Sequence, residues 1–227
     1  MSVFDMIGPI MIGPSSSHTA GAARLGQLAR SILGGQPVRA RILLHGSFAE
    51  TGAGHGTDLA LVAGLLGLGP DDERIVDAFQ LADAAGLQYN FERVDLGRVH
   101  PNTVRFVLEA GDRRVMVTGS SVGGGRVLVT AIDQFPVELS GEYDALVVSY
   151  LDQPGVISKI SSLLAMDNVN IAQMRVSRAE KGARALMILE VDQPVADEVQ
   201  RIIGRLPVID ALVAIPRVIG QKGGETE

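Results

Sequence analysis

Three serines and a histidine stand together near the amino terminus, in residues 13–24 (GPSSSHTAGAAR). They come at the start of a helix predicted over residues 19–33, where free N–H groups and the positive end of the helix dipole favour an anion. Serine hydroxyls can add further donors. The pattern therefore predicts an anion site at Ser15, Ser16 and Ser17, with a helix cap that has spare serines as the alternative.

A second group of chemically useful residues is 45–58 (HGSFAETGAGHGTD), with glycines at positions 46, 52, 54 and 56. Glycine at this density predicts a loop that needs positive φ or close backbone approach. His55 lies between two of these glycines, just before a helix capped by Thr57 or Asp58, and its imidazole suits proton transfer near neutral pH. The alternative is that His55 has only a structural role beside the cap. His55 and Asp58 could also bind a metal ion, but the sequence offers no third and fourth ligand at a spacing typical of metal sites.

Two shorter segments complete the polar inventory. His100-Pro101-Asn102 stands just before a predicted strand, where polar side chains emerge at the end of a sheet. Residues 120–125 (SSVGGG) do not follow a phosphate-binding pattern, so we predict a turn between two strands. Residues 119–123 (GSSVG) match G-x-S-x-G, but no helix is predicted to follow them, so they do not form a nucleophile elbow, which disfavours a Ser–His–Asp hydrolase.

Composition excludes several classes of protein. The chain has no cysteine and no Trp, and its 20 basic against 26 acidic residues give a net charge of −6. It therefore offers no basic surface for nucleic acid, no disulfide and no thiolate ligand for an iron–sulfur cluster. The amino terminus lacks a secretory signal pattern, and the longest apolar run, residues 59–69, is too short to cross a bilayer. We expect a cytoplasmic protein without nucleic-acid or membrane partners.

The elements that must position these residues fall into two parts of an α+β protein. In the first part, residues 1–132, hydrophobic periodicity predicts helices over 19–33, 59–68 and 71–85 and strands over 38–44, 103–110, 114–118 and 126–132. Residues 133–144 are predicted to be a linker, and residues 221–227 a disordered tail. The second part, residues 145–220, repeats a strand–helix–strand plan, with Asp-Gln-Pro at 152 and again 40 residues later at 192. Two such units in tandem predict a ferredoxin-like βαββαβ domain.

Four of these segments, in this order, resemble a known family. GPIMIGPSSSHTAGAARLG, LHGSFAETGAGHGTD, the HPN before a strand and the SxGGG turn are similar to the β subunit of the two-chain iron–sulfur-dependent L-serine dehydratases (L-serine ammonia-lyases). The carboxy-terminal unit, with LDQPGVIS and NVNIAQM, resembles an ACT domain. The resemblance covers residues 4 to about 218, and it implies a serine dehydratase β domain followed by an ACT domain.

The resemblance implies the conversion of L-serine to pyruvate and ammonia. In that family a separate α subunit carries the [4Fe-4S] cluster, whose open iron acts as a Lewis acid on the β-hydroxyl, and the absence of cysteine here fits that division. An active site shared with the α subunit is then expected, with His55 as the candidate base and His18 as the second candidate. The expected substrate-binding residues are Ser15, Ser16, Ser17, Thr19, His100 and Asn102.

For the ACT domain the resemblance implies an amino-acid site, with L-serine as its expected ligand, at a homodimer interface. Its expected residues are Asp152, Gln153, Pro154, Gly155 and Val156, together with Asn170 of a neighbouring copy. The internal repeat supports the first turn, because Val195 stands where the first copy has Gly155, and a valine blocks close approach of a ligand. The alternative is that Pro-Gly merely starts a helix.

Two other functions remain open from the sequence. A regulatory subunit that senses serine and has no catalytic residues is the first, because the amino-terminal part is also similar to the allosteric substrate-binding domain of some phosphoglycerate dehydrogenases. The second is a metal-dependent hydrolase with His18, His55, His100 and Asp58 as ligands. The histidine between two glycines argues against a passive sensor.

Overall fold

The computed structural model describes residues 11–220, so the tail predicted at 221–227 lies outside the described residues. The chain divides into two compact units between Ser140 and Gly141, and each is treated by itself. The mixed α+β class predicted from the sequence is confirmed. No helix in the described part of the chain is both long and apolar enough to cross a membrane.

The first unit is a six-stranded sheet with helices. In chain order its elements are α1 (Gly21–Leu33), β1 (Arg39–His45), α2 (Ser47–His55), α3 (Thr57–Leu65), α4 (Ala78–Ala84), β2 (Gln88–Arg93), β3 (Thr103–Ala110), β4 (Arg113–Gly123), β5 (Arg126–Ile132) and β6 (Phe135–Leu139). A π-helical turn, Ser16–Ala20, leads into α1, and a 3₁₀ turn, Glu73–Asp77, leads into α4. The strand order is β2-β1-β3-β4-β5-β6, with β1 and β2 parallel and the other pairs antiparallel.

Alternating burial shows which face of the sheet carries the core. In β1, Ala40, Ile42 and Leu44 are buried, whereas the arginines on either side of Ala40, at positions 39 and 41, are exposed. This period of two is the signature of a strand with one buried face. Helix α1 packs on the sheet and against α3, so its start is fixed in position by tertiary contacts rather than by helix propensity.

Three predictions for this unit are wrong in detail. Residues 47–55 form helix α2 instead of a loop, because only Gly46 (φ +54°) and Gly56 (φ +69°) adopt positive φ, and these two glycines bracket the helix. The assigned linker contains strand β6, where Phe135, Val137 and Leu139 are buried in alternation. The helix predicted over 71–85 is shorter, since a 3₁₀ turn occupies its first part. Strand β2 was not predicted.

The second unit has the predicted βαββαβ plan. Its elements are β7 (Asp144–Leu151), α5 (Val156–Met166), β8 (Ile171–Arg178), β9 (Arg184–Val191), α6 (Asp197–Gly204) and β10 (Ile209–Ile215). The sheet order is β10-β7-β9-β8, and every neighbouring pair is antiparallel. Tyr150, Ile160 and Leu164 are among the fully buried side chains of its core.

Candidate functional site

The polar segments of the first unit meet at one edge of its sheet. His45 at the end of β1 pairs with Thr103 at the start of β3, which pairs with Ser120 near the end of β4. Helix α2 starts directly after β1, and the π-helical turn that leads into α1 contacts both α2 and β4. Three distant stretches of sequence therefore reach the same edge, and the side chains described next lie there.

His18 is held by hydroxyl groups on both ring nitrogens. Its Nε2 lies 3.2 Å from Ser47 Oγ and 3.2 Å from Thr51 Oγ1, both on α2. Its Nδ1 lies 3.4 Å from Ser15 Oγ, which also accepts a hydrogen bond from the backbone N–H of His18 at 3.3 Å. Its ring packs edge-on against the buried Phe48. The imidazole is thus locked in one orientation.

His55 is the last residue of α2 and is exposed. Its Nδ1 lies 3.0 Å from the carbonyl oxygen of Thr51, one turn earlier. A carbonyl can only accept, so Nδ1 carries the proton and donates. In the neutral ring the lone pair is then on Nε2, and no described residue hydrogen-bonds that atom. A free lone pair at an exposed position is what a proton acceptor needs.

The two histidine rings lie close together, with centroids 5.1 Å apart and an angle of 37° between their planes. Burial lowers the pKa of His18 below its usual value, and the neighbouring His55 lowers it further. Both effects disfavour a positive charge on His18. The cluster therefore combines one neutral, fully hydrogen-bonded imidazole with one open imidazole.

A cavity of about 210 Å³ opens beside His55. Its lining residues are Ile12, Gly13, Pro14, Thr19, Gly54, His55, Gly56, Leu59, Ile75 and Val76. It is larger than a cavity of about 150 Å³ that is known to admit benzene, so it has room for a small molecule. Thr19 is buried, and its Oγ1 has no hydrogen-bond partner in the described structure. A small polar molecule fits this cavity, with the His55 imidazole and the Thr19 hydroxyl among its few polar partners.

The serines of the predicted anion site begin the helical segment, as predicted. Ser15 is the N-cap of the π-helical turn, and Ser16 and Ser17 are half-buried in it. The small residues that follow do not leave room for a ligand. A Cβ at Gly21 would overlap with Ser121 of β4, so the chain itself fills the space beside this glycine.

The segment His100–Asn102 lies at the same edge but forms its own turn. The backbone N–H of Asn102 donates to His100 Nδ1 at 3.1 Å, and Pro101 packs on Gly46, next to the start of α2. No hydrogen bond or ring contact joins the His100 or Asn102 side chain to the two clustered histidines in the described structure.

The glycine-rich turn is confirmed as the connection between β4 and β5, with Gly123, Gly124 and Gly125 all at positive φ. Arg24, buried on α1, donates from Nη1 to the carbonyl oxygen of Gly125 at 2.6 Å. Burial lowers the pKa of its guanidinium, and Asp71 offsets part of that effect. Arg24 thereby ties the serine-rich segment to the glycine turn.

The predicted cap and metal roles are not supported. The N-cap of α3 is Gly56, which has no side chain to form a capping hydrogen bond, and Thr57 is buried with a hydroxyl that has no partner among residues 11–220. Asp58 accepts from the backbone N–H of its own neighbour, Leu59. Between residues 11 and 220 no group of three His, Cys, Asp or Glu side chains is placed to hold a metal ion.

Sequence reasoning did not single out Ser47, Thr51 and Arg24. Ser47, Thr51 and His55 follow one another at intervals of four residues, which places them on one face of a helix. That signal was available in the sequence, but it has meaning only for a helix, and the glycines indicated a loop. The long-range contact of Arg24 had no local signal.

In the second unit, the first Asp-Gln-Pro turn is open on one side. Gly155 is the N-cap of α5 with φ +88°, and a Cβ built there would meet no atom of the described residues within 4 Å. Val156 is buried beneath it. Asp152 Oδ2 accepts from Arg178 Nη1 at 2.8 Å and from the backbone N–H of Gly182 at 3.4 Å, and these bonds lower the pKa of the Asp152 carboxyl, Arg178 having the larger effect.

Asn170 lies at the opposite end of the same sheet. It precedes Ile171, which pairs with Val191, whereas Asp152 follows the end of β7 at which Leu151 pairs with Arg184. Its Nδ2 donates to Asp192 Oδ2 at 2.6 Å, within the second Asp-Gln-Pro turn. One chain therefore does not bring Asn170 to the first turn.

Two family profiles match this chain. One is described as "Serine dehydratase beta chain" and matches residues 2–90, and the other is "ACT domain" and matches residues 145–208. The chain is similar to the probable L-serine dehydratase beta chain of Bacillus subtilis, with 45% identity over 92% of this chain and 94% of that protein. It is also similar to the L-serine dehydratase beta chain of Peptoniphilus asaccharolyticus, with 42% identity over 88% of this chain and 90% of that protein.

A more distant similarity connects the chain to a different kind of enzyme. A D-3-phosphoglycerate dehydrogenase of Synechocystis is 29% identical over 78% of this chain, but the match spans only 32% of that protein. This identity is well below that to the two beta chains, and it concerns a minor part of a longer protein.

Proposed function

The chain belongs to the serine dehydratase beta chain family and ends in an ACT domain, and on that premise we propose that it forms the L-serine dehydratase active site together with an α subunit. L-Serine is the substrate, and pyruvate and ammonia are the products. This chain contributes the groups that hold the substrate and accept its α-proton, while its ACT domain binds an amino acid as regulator.

The observation that carries the proposal is His55, which lines the cavity and whose Nε2 no described residue hydrogen-bonds. The bond from Nδ1–H to the Thr51 carbonyl sets the tautomer, so Nε2 bears the lone pair that accepts the α-proton of serine. The β-hydroxyl leaves with a proton as water, which gives an aminoacrylate, and its imine tautomer is hydrolysed by water to pyruvate and ammonia. The cavity is large enough for a molecule the size of serine, which has seven non-hydrogen atoms.

The substrate carboxylate is assigned to the start of the helical segment. Ser16 and Ser17 are half-buried there, and their backbone N–H groups point toward the amino-terminal end of the segment, as in any helix start. Ser15 is occupied with His18 and serves chiefly to hold it. His100 and Asn102 border the same edge of the sheet and complete the substrate contacts in the assembled enzyme.

The residues of this chain do not fit an iron–sulfur cluster. It contains no cysteine, and its described part has no other group of side chains suited to a metal ion. The [4Fe-4S] cluster of the family is therefore assigned to the α subunit, and none of the steps given to this chain passes through it. The same finding leaves the metal-dependent hydrolase without a ligand set among residues 11–220.

Replacing His55 by Asn tests the catalytic proposal. In enzyme reconstituted with the α subunit, loss of a general base should lower kcat by roughly 10²- to 10⁴-fold while the two chains still co-purify. His45→Asn is the matched control, because His45 Nδ1 accepts from the Leu96 N–H and an Asn oxygen can replace it. Near-full activity of His55→Asn would refute the role, and a chain that binds serine but yields no pyruvate with any α subunit would favour the regulatory alternative.

The regulatory part of the proposal places an amino acid between two ACT domains. Strand β8 is an edge strand, and Met174 and Val176 on it are exposed, which suits pairing with a second copy. Antiparallel pairing of β8 with its copy would bring Asn170 of one chain near Arg178, and so near Asp152, of the other. Such pairing would bring together residues that one chain alone keeps at opposite ends of the sheet, Asn170 and Gly155.

A charge on the β8 edge tests the homodimer. Val176→Lys should make the full chain monomeric in sedimentation equilibrium and weaken L-serine binding in titration calorimetry, because the site would lose the partner's Asn170. Val38→Lys, at an exposed valine of the first unit, is the control and should leave both properties unchanged. A Val176→Lys chain that remains dimeric would contradict the assigned interface.

A further inference from the structure

Thr51 is the residue that connects the two histidines of the site. Its side-chain oxygen lies 3.2 Å from His18 Nε2, and its carbonyl oxygen accepts from His55 Nδ1 at 3.0 Å. No other described residue contacts both rings through hydrogen bonds. We infer that Thr51 is a positioning residue that fixes the two imidazoles in opposite tautomers, leaving His55 as the base and His18 as a neutral donor.

The directions of the hydroxyl protons can be worked out from the distances. Thr51 Oγ1 lies 2.8 Å from the carbonyl oxygen of Ser47, and because a carbonyl only accepts, the single proton of Thr51 is donated there. Ser47 Oγ lies 3.4 Å from Thr51 Oγ1, so in that contact Ser47 must be the donor. Thr51 Oγ1 therefore presents only lone pairs to His18 Nε2, which lies 3.2 Å away.

The consequence for His18 is a single tautomer. Its Nε2 carries the proton, because an unprotonated Nε2 would place its lone pair against those of Thr51 Oγ1 at 3.2 Å, and Ser47 Oγ can accept from the same N–H. Its Nδ1 then has the lone pair, which accepts from the Ser15 hydroxyl. Each polar atom of the neutral ring is satisfied, and the lowered pKa of His18, caused by burial and by His55, agrees with a ring that stays neutral.

His18 and His55 therefore have different tasks. His18 has no free lone pair, so it cannot take a proton from the substrate without breaking the bond to Ser15. His55 has its free lone pair on Nε2, at the exposed end of α2. The sequence left open which histidine is the base, and the hydrogen bonds of the two rings favour His55. This inference rests on the proposed function for its catalytic part but not for the tautomers.

The tautomers can be measured without any activity. In full-length chain labelled with ¹⁵N-histidine, two-bond ¹H–¹⁵N correlation spectra at about pH 8, above the ordinary histidine pKa, distinguish Nδ1–H from Nε2–H rings. We expect His18 as the Nε2–H form and His55 as the Nδ1–H form, assigned with His18→Gln and His55→Asn. A His18 ring protonated on Nδ1 in the unmodified chain would overturn the inference.

Thr51→Val removes the side-chain oxygen with little change of shape at an exposed position. The Ser47 hydroxyl is then free to turn and donate to His18 Nε2, so a share of His18 should appear as the Nδ1–H form, while His55 keeps its bond to the backbone carbonyl. Thr51→Ser keeps the hydroxyl and should restore the original spectrum. An unchanged His18 spectrum in Thr51→Val would contradict the role of Thr51.

The catalytic consequence has its own readout. In reconstituted enzyme we expect Thr51→Val to lower kcat roughly ten- to hundredfold, as for other residues that orient a functional side chain, with recovery in Thr51→Ser. Unchanged kcat in Thr51→Val would overturn the positioning role even if the tautomers are as stated. If no variant or unmodified chain forms pyruvate with an α subunit, the proposed function fails while the tautomer assignment is still decided by the spectra.

Discussion

Glycine serves opposite purposes in the two units. In the first unit, Gly26 of α1 and Gly64 of α3 lie against each other, and a Cβ at Gly64 would overlap with the carbonyl oxygen of Ala23. In the second unit, Gly155 at the start of α5 has φ +88° and open space where its Cβ would be. The first kind of glycine lets two helices touch, and the second leaves a turn uncovered.

The difference extends to the polar groups. In the first unit, His18 is fully hydrogen-bonded by the chain's own hydroxyls, so the histidine cluster is complete within one chain. In the ACT unit, Asn170 lies at the opposite end of the sheet from Gly155, so a second copy is needed to complete the proposed site. A preorganised site suits catalysis, whereas a site completed by a partner suits regulation.

The largest effect on stability is expected from Gly64→Ala. Its Cβ would meet backbone rather than a flexible side chain, so α1 and α3 must move apart, and such overpacking costs about 3 kcal/mol. Urea denaturation should show the loss, and the displaced start of α1 should also impair the histidine cluster. Gly204→Ala in α6, where nothing lies within 4 Å, is the control and should stabilise by about 0.5 kcal/mol. Equal stability of the two variants would contradict the conclusion that Gly64 is required for the close contact between α1 and α3.

A smaller loss of stability, but a specific loss of binding, is expected from Gly155→Ala. The open space permits the methyl group, so the cost is that of a left-handed backbone for alanine, about 1 kcal/mol. Titration calorimetry should show weaker L-serine binding by the full chain. Val195→Gly at the second turn is the counterpart. It should not create a second serine site. A second site in that variant would show that a glycine at this position of the turn is sufficient for serine binding.

Much of the fold was predictable because its signals are local. Residues 145–220 show two clear alternations of apolar runs and turns, and the six elements found there follow them closely. Strand β6 has an equally regular alternation, but Pro136 suggested a linker. That proline is exposed on an edge strand, the one place in a sheet where a missing N–H is tolerated.

The site was only partly predictable because it depends on packing between distant segments. His18 and His55 were expected to share a site because of the segments they stand in and the family resemblance. The structure adds the orientation of both rings, which comes from Ser47 and Thr51, on a helix that was predicted to be a loop because of its glycines. The space beside Gly21 is a second example, since Ser121 of β4, from a distant part of the sequence, occupies it. Local composition cannot reveal what approaches from another strand.

The ACT unit and the first unit should also differ in the pH range over which they lose stability. The Asp152 carboxyl has a lowered pKa in the folded chain, so its stabilising effect is complete above the ordinary value near 3.8 and is lost only as the pH falls further. Asp152→Asn should therefore reduce the free energy of unfolding of the full chain at neutral pH but not in strong acid. An equal reduction at both pH values would contradict the ion pair with Arg178.

The smallest effect on the free energy of unfolding is expected from His18, and it falls in a different pH range. Its pKa is lowered in the folded chain, so above its ordinary value of 6.5 both states hold a neutral ring and stability is unaffected. As the pH falls below 6.5, the unfolded chain takes up a proton first, and the free energy of unfolding decreases. Urea titrations between about pH 7.5 and 5 should show a decline that is weaker in His18→Gln. An identical decline in the variant would mean that the ring is not held neutral, and the contrast between a self-contained site and an incomplete one would lose its electrostatic support.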